Sequence, residues 1–306
     1  MSPQTPARYE DVKGWFAPVD QLLFDWILTV QRDAGVRGDL LELGAYLGKS
    51  AIYTGFYRGE GERFTVCDLF DSPAPDEPNG AEMTRSYASL TRRAFETNYL
   101  AFHDTLPTVV QGPTSVITGR VPAASCRFVH VDASHLYEHV RGDVEAAREL
   151  LAPDGVVAFD DYRAEHCPGV AAAVWGAVAA GGLRVVCLTG TKLYGTWGDP
   201  APVREALLRR LEPRTDVRHT VESVAGAPLV RLKPQGVVPP WTPRPRHAPA
   251  PAARPAAPAP ATATTSAAPA TATTSAARAA APPAPAAAAP ARRGGPLRRL
   301  VRALGR

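Results

Sequence analysis

The sequence predicts one α/β domain on a mostly parallel, doubly wound sheet with helices on both faces, followed by a disordered C-terminal tail. Three observations carry this expectation. Between residues 18 and 197, short β-branched runs alternate with helix-length patterns, the signature of a parallel sheet. Residues 183–188 and 192–197 flank Thr189, Gly190 and Thr191, which suggests an antiparallel hairpin at the sheet edge. From Val237 to Arg306 the composition changes: those 70 residues hold 15 of the 31 prolines, ten arginines and no Asp, Glu or Lys.

The elements follow in order. Residues 18–33 read as a leading helix, with Leu22, Leu23, Trp26, Ile27 and Val30 at helical spacing. A strand is expected at 39–43, a helix from about 48 to 57, and a strand at 63–68. Residues 71–80 contain three prolines and several acids and read as a loop or lid. One helix is expected over 82–102, then a weak strand at 108–111. The second half is clearer, with an apolar strand at 126–131, a helix at 137–151, a turn at Pro153, Asp154 and Gly155, and a second apolar strand at 155–160. A helix over 168–180 has Pro168 in its first turn. Six or seven strands result.

The tail has too little large apolar surface to offset the entropy of ordering it. The domain therefore ends at about residue 236, and 237–295 form an Ala/Pro/Thr-rich linker in which AlaThrAlaThrThrSerAlaAla occurs at 261–268 and again at 270–277. In residues 296–306, Leu297, Leu300, Val301 and Leu304 fall at i, i+3, i+4 and i+7 among arginines. That suits a short basic amphipathic segment able to touch an anionic membrane or an acidic partner. The tail carries +10 against +4 for the whole chain, which leaves −6 on the folded part, so a nucleic-acid-binding core is a poor reading. Cys67, Cys126, Cys167 and Cys187 lack CxxC spacing, and the start has neither a basic nor an apolar leader region, so the expectation is reduced thiols in a cytoplasmic protein that its basic end could place at a membrane surface. No apolar run approaches 18 residues.

Two stretches carry chemistry. LeuLeuGluLeuGlyAlaTyrLeuGlyLysSer at 40–50 lies where a strand ends and a helix begins, with glycines that permit close backbone approach to a ligand. Its spacing is neither GxGxxG nor GxxxxGK[ST], which disfavours a dinucleotide site or a P-loop. Asp68, ending the next strand, can accept from a ribose diol. In the second stretch, Asp132 and His135 follow one apolar strand while Asp160 and Asp161 end the next. Neighbouring parallel strands bring such ends together at the ligand crevice, where three carboxylates need a cation between them. Hard oxygen ligands indicate Mg²⁺, with Mn²⁺ as the substitute, although Asp160 and Asp161 can share an ion only if the strand has already ended.

Residues 42–51 resemble motif I of class I S-adenosylmethionine-dependent methyltransferases, particularly the catechol-type, metal-dependent O-methyltransferases. The resemblance implies a Rossmann-like class I methyltransferase sheet in the family order, with Glu42, Gly44, Tyr46, Gly48 and Ser50 around the methionine part of the cofactor, Asp68 on the ribose, and Thr114 and Ser115 in the adenine-contacting turn. AspAlaSerHisLeuTyrGlu at 132–138 and LeuLeuAlaProAspGlyValValAlaPheAspAspTyr at 150–162 are similar to the macrocin and mycinamicin sugar O-methyltransferases. That similarity implies metal ligands at Asp132, Asp160 and Asp161 and a general base at His135; His139 and His166 read as structural. The implied acceptor is a small-molecule or glycan hydroxyl, that of a sugar or glycosylated natural product. The rival readings are a catechol or phenol O-methyltransferase, a non-catalytic S-adenosylmethionine-binding protein tethered by its basic tail and, more distantly, a pyridine-nucleotide reductase.

Overall fold

A computed structural model describes residues 4–247. The chain runs α1 (Pro18–Asp33), β1 (Asp39–Leu43), α2 (Lys49–Gly55), β2 (Phe64–Asp68), α3 (Glu77–Ser86), α4 (Arg92–Leu100), β3 (Thr108–Gln111), a 3₁₀ turn (Thr114–Gly119), β4 (Cys126–Val131) and α5 (Tyr137–Leu150). It continues through β5 (Leu151–Phe159), α6 (Pro168–Ala179), β6 (Arg184–Leu188), β7 (Leu193–Thr196), α7 (Ala201–Leu211), β8 (Val217–Val224) and β9 (Ala227–Pro234). All nine strands form one sheet in the order β3-β2-β1-β4-β5-β7-β6-β9-β8.

Register sets the site. β1, β2, β4 and β5 run parallel, and their last residues align, with Leu43 opposite both Cys67 and Val131, and Val131 opposite Phe159. Gly44, Asp68, Asp132 and Asp160 therefore leave the sheet side by side, where the strand order reverses and ligands bind. The strands are buried because helices cover both faces, and the core divides accordingly. One cluster, around Phe24, Tyr53, Phe95 and Phe128, lies on the side of α1, α2 and α4; the other, around Val129, Val157, Phe159 and Val174, lies under α5 and α6.

Four local expectations are corrected. The helix expected over 82–102 is two, because Thr91 caps a new start by accepting from the Ala94 amide at 3.1 Å. The loop expected over 71–80 already turns helical at Glu77, where Asp76 accepts from the Asn79 amide at 2.9 Å and Pro78 fits the first turn. Pro153, Asp154 and Gly155 do not form a turn; they lie within β5, where its register against β4 shifts. Finally, the sheet has nine strands, and the β6/β7 hairpin is internal. β7 sits between β5 and β6, and the edge hairpin is β8/β9, joined by Ala225 and Gly226, both at positive φ.

The chain stays packed past Val237. Trp241 stacks on Tyr53 at 4.5 Å and donates to the Tyr57 hydroxyl at 2.8 Å, and the Arg246 amide donates to Ala101 O at 2.7 Å. The rest of the expected linker and the basic amphipathic segment at 296–306 lie outside the described residues. Among the described residues, no helix is long and apolar enough to cross a membrane.

Candidate active site

The turn after β1 is built by close backbone approach. Gly44 has φ of 78°, and a Cβ on it would stand 2.0 Å from the carbonyl oxygen of Asp132, so no other residue fits. Asp68 folds the turn over itself: one carboxylate oxygen accepts from the amides of Ala45 (2.7 Å) and Tyr46 (2.9 Å), the other from Phe70 (2.8 Å). Burial pushes its carboxyl up while those donors pull it down. Three amides occupy three of about four lone-pair positions, which leaves room for one hydroxyl. Tyr46 also takes positive φ, at 49°, and its ring stacks on Trp15 at 5.7 Å and meets Tyr87 edge-on at 5.6 Å.

A cavity of about 470 Å³, within the range of small-molecule sites, opens over this turn. Of the residues singled out in the sequence, Gly44, Tyr46, Ser50, Asp68, Thr114, Ser115 and Asp132 line it. Glu42, Gly48, His135, Asp160 and Asp161 are not in its wall. Glu42 is wholly buried and reaches the cavity only through Ser50, whose hydroxyl donates to it; burial pushes the Glu42 carboxyl up to about 8. Gly48, at φ of 93°, leads into α2 and packs against the Phe95 ring.

The three expected metal ligands fall into two groups. Asp132 and Asp160 gather with His130, and Asp161 gathers with His135 and Cys167. The division arises because β5 ends at Phe159 and Asp161 turns to φ of 54°, its amide donating back to the Asp160 carboxylate at 2.9 Å. Asp160 already has a cation. The fully buried Lys192 ammonium bonds its Oδ2 and lies 3.0 Å from His130 Nε2. Burial and the adjacent Asp160 raise the Asp132 carboxyl well above the carboxylate range, whereas Lys192 opposes that rise. The donor set therefore does not fit a resident Mg²⁺ or Mn²⁺ on Asp132, Asp160 and Asp161: one acid is turned away and another is paired with an ammonium.

His135, expected as a base, stands between two carboxylates. Its Nδ1 lies 2.8 Å from Glu82 Oε1 and its Nε2 3.3 Å from Asp161 Oδ2. Hydrogen bonds to Asp161 and then Glu82 push its pKa up to about 10 against the opposing effect of burial. That shift favours the imidazolium, in which both nitrogens donate, over the neutral ring that a general base needs. His139, read as structural in the sequence, is held 2.7 Å from Asp76 and 3.1 Å from the Ser134 hydroxyl and borders the cavity.

Comparison with known proteins agrees with this layout. Residues 41–162 match a methyltransferase domain. The span runs from β1 to the residue after Asp161, so it takes in the motif I turn and both acidic segments; over it the resemblance to class I S-adenosylmethionine-dependent methyltransferases is borne out, and with it the enzyme class. Among solved structures, CalS11, a TDP-rhamnose 3'-O-methyltransferase of calicheamicin biosynthesis, is 20% identical with a TM-score of 0.40, covering 59% of this chain and 80% of its own. The O-methyltransferase NovP is 17% identical (TM-score 0.47; 59% and 81% covered). TomG from Streptomyces achromogenes, in complex with SAM, is 20% identical (TM-score 0.32; 71% and 77% covered). No curated protein matches significantly.

The methyltransferase domain also uses residues that sequence reasoning missed. Glu82, on α3, accepts from the Ser134 hydroxyl (2.9 Å) and the His135 amide (3.1 Å) as well as facing the His135 ring, and so fastens α3 to the segment after β4. Asp143 on α5 also lines the cavity, and burial pushes its carboxyl up to about 6. Lys192 was read as the first residue of an edge strand, with nothing local to mark it; the signal was topological. Leu193 pairs with Phe159 once β7 is placed beside β5, which puts Lys192 next to Asp160.

Proposed function

We propose that this chain transfers the methyl group of S-adenosylmethionine to a hydroxyl of a sugar or glycosylated natural product. The observation that carries the reading is the single cavity in which the motif I turn, Asp68 and the Thr114–Ser115 turn share walls with Asp132. The residues fit the cofactor: Asp68 keeps one acceptor position for a ribose hydroxyl, Thr114 and Ser115 offer hydroxyls toward the base, and Gly44 exposes backbone. The sugar preference rests on residues 132–138 and 150–162, and on Trp15, 74% exposed where it borders the cavity, which offers a broad apolar face to an acceptor.

When bound, the cofactor supplies an electrophilic methyl group on a sulfonium, which needs little help to leave. The chain's own task is orientation and removal of one proton. Asp132 alone among Asp132, His135, Asp160 and Asp161 lines the cavity; in its ionised form, which burial and Asp160 oppose and Lys192 favours, it accepts the hydroxyl proton as the acceptor oxygen bonds to the methyl carbon. His135, charged between Glu82 and Asp161, holds the segment that carries Asp132 in place. Contact with a membrane or an acidic partner through 296–306 is proposed on the sequence pattern alone.

Calorimetric titration of S-adenosylmethionine and S-adenosylhomocysteine tests the cofactor half, and transfer of labelled methyl to nucleotide-sugar and glycosylated acceptors tests the other. Binding of both nucleotides with methylation at a sugar hydroxyl is expected. Absence of nucleotide binding overturns the reading, and labelling of catechols alone moves it to the phenol branch.

A further inference from the structure

We infer that the Lys192 ammonium is the built-in cation of the acidic centre, standing where a divalent metal would otherwise be needed, so that methyl transfer here proceeds without one. The inference deepens the proposed function and rests on it for its catalytic meaning, but its structural content stands alone.

Asp132 and Asp160 converge because β4 and β5 are paired neighbours ending together, and two carboxylates at that separation repel strongly in a buried setting. A site of this kind needs a positive charge, and the topology supplies one. β7 runs antiparallel to β5 with Leu193 opposite Phe159, which delivers the preceding Lys192 to Asp160.

The ammonium is enclosed on every side. Asp160, just after β5, accepts a hydrogen bond from it, and His130 from β4 faces it with Nε2 at 3.0 Å. The Phe16 ring lies 5.9 Å from Nζ, and Asp132 and Asp20 add attraction from β4 and α1. Burial and the neighbouring Lys192 hold His130 neutral, so its Nε2 serves as acceptor. Asp20 is engaged by the hydroxyls of Thr189, Thr191 and Tyr194, and the carboxylate bonded to Lys192 is that of Asp160. Lys192 is 1% exposed, and a divalent ion on Asp132 and Asp160 would have to displace it into the protein interior or lie against it. Either arrangement is strongly unfavourable at low local dielectric.

The chemical consequence is specific. An ammonium donates hydrogen bonds and neutralises charge, but it has no vacant orbital for an alkoxide. It cannot acidify an acceptor hydroxyl by coordination as a metal does. What it does is set a positive charge against Asp160 and oppose the rise of the Asp132 carboxyl, so that the two acids can lie side by side. Lys192 is accordingly a positioning residue, acting through Asp160 and Asp132.

Mn²⁺ titration of the full chain, followed by the loss of the free-ion electron paramagnetic resonance signal, tests this with and without saturating S-adenosylhomocysteine. The wild-type protein is expected to hold no stoichiometric Mn²⁺. Lys192→Ala, which removes the ammonium and leaves the carboxylates, is expected to gain Mn²⁺ affinity by about tenfold or more, and Lys192→Ala with Asp160→Asn to lose that gain. A stoichiometric Mn²⁺ on wild-type protein that disappears in Asp160→Asn overturns the inference, as does a folded Lys192→Ala variant with unchanged Mn²⁺ affinity. If Lys192→Ala does not fold, the wild-type titration decides alone. Calorimetry with S-adenosylhomocysteine separates the two readings: failure of nucleotide binding strikes the proposed function, whereas a wild-type Mn²⁺ site strikes only the role of Lys192.

Discussion

The ends of β1 and β2 and the ends of β4 and β5 lie side by side on one sheet, yet they solve opposite problems. At the first, backbone does the work: Gly44 passes within contact of Asp132, and a single carboxylate, Asp68, gathers three amides of the adjoining turns. At the second, side-chain charge does the work, and it comes from β7, later in the chain, meeting acids on β4 and β5. A ligand cradle can be encoded within a few consecutive residues. A balanced buried charge cluster needs topology.

The largest effects are expected where charge balance and chemistry coincide. Asp132→Asn should lower turnover by about 10²–10⁴ while leaving S-adenosylhomocysteine affinity within a few-fold, since the amide cannot take the proton but keeps the shape. Steady-state kinetics beside calorimetry checks this, and retained turnover would move the base elsewhere. His135→Gln should reduce turnover less and leave the pH dependence of the reaction in place, because the imidazolium only positions its neighbours. Next in size is Asp160→Asn, which strands a buried ammonium and should cost about 3–5 kcal/mol of stability by denaturant unfolding. A cost near zero would mean that Lys192 finds another partner.

The comparison also explains what the sequence could disclose. Apart from α3, α4 and the first residues of β5, the elements from α1 to β6 were legible because each carries its own period and boundary residues. Gly44, Asp68 and Asp132 were legible because strand ends followed by Gly or Asp are local signals. The division of helix 82–102 was written in Thr91 and the start of α3 in Asp76, but an acid-rich and proline-rich stretch hides such caps. β8 was hard to read because nearly all of it is exposed, so no apolar alternation marks it. Lys192 was invisible because its meaning depends on the hairpin being internal rather than at the edge. The same misplacement made a metal seem necessary, since three acids were counted without the cation that the fold delivers.

A smaller effect is expected at the joint between α3 and the acidic centre. Glu82→Gln keeps an acceptor but loses the charge facing His135, and should cost about 1–3 kcal/mol. The sign of the pH dependence follows from the shifts. His135 is raised from 6.5 to about 10 in the folded state, so its contribution is complete below 6.5 and is lost as pH climbs through about 10. Glu82 is lowered from 4.5 to about 2, so its contribution is complete above 4.5 and is lost as pH falls through about 2. Wild-type stability should therefore exceed that of Glu82→Gln most between pH 4.5 and 6.5, with the gap narrowing toward either extreme; thermal unfolding across pH measures it.

The smallest effect distinguishes a cradle of backbone from one of side chains. The Ser50 hydroxyl donates to Glu42, not into the cavity, and burial keeps the Glu42 carboxyl neutral at about 8. If backbone and Asp68 hold the cofactor, Ser50→Ala should cost about 1 kcal/mol in stability, for one lost buried hydrogen bond, and change S-adenosylhomocysteine affinity by less than about threefold. If instead the Ser50 hydroxyl turns to the cofactor carboxylate, as the family resemblance implies, the loss should exceed about tenfold, the value of a hydrogen bond to a charged group. The calorimetric ratio decides between them, and a large loss would mean that Glu42 releases Ser50 on binding, making the motif I turn a side-chain device like its neighbour.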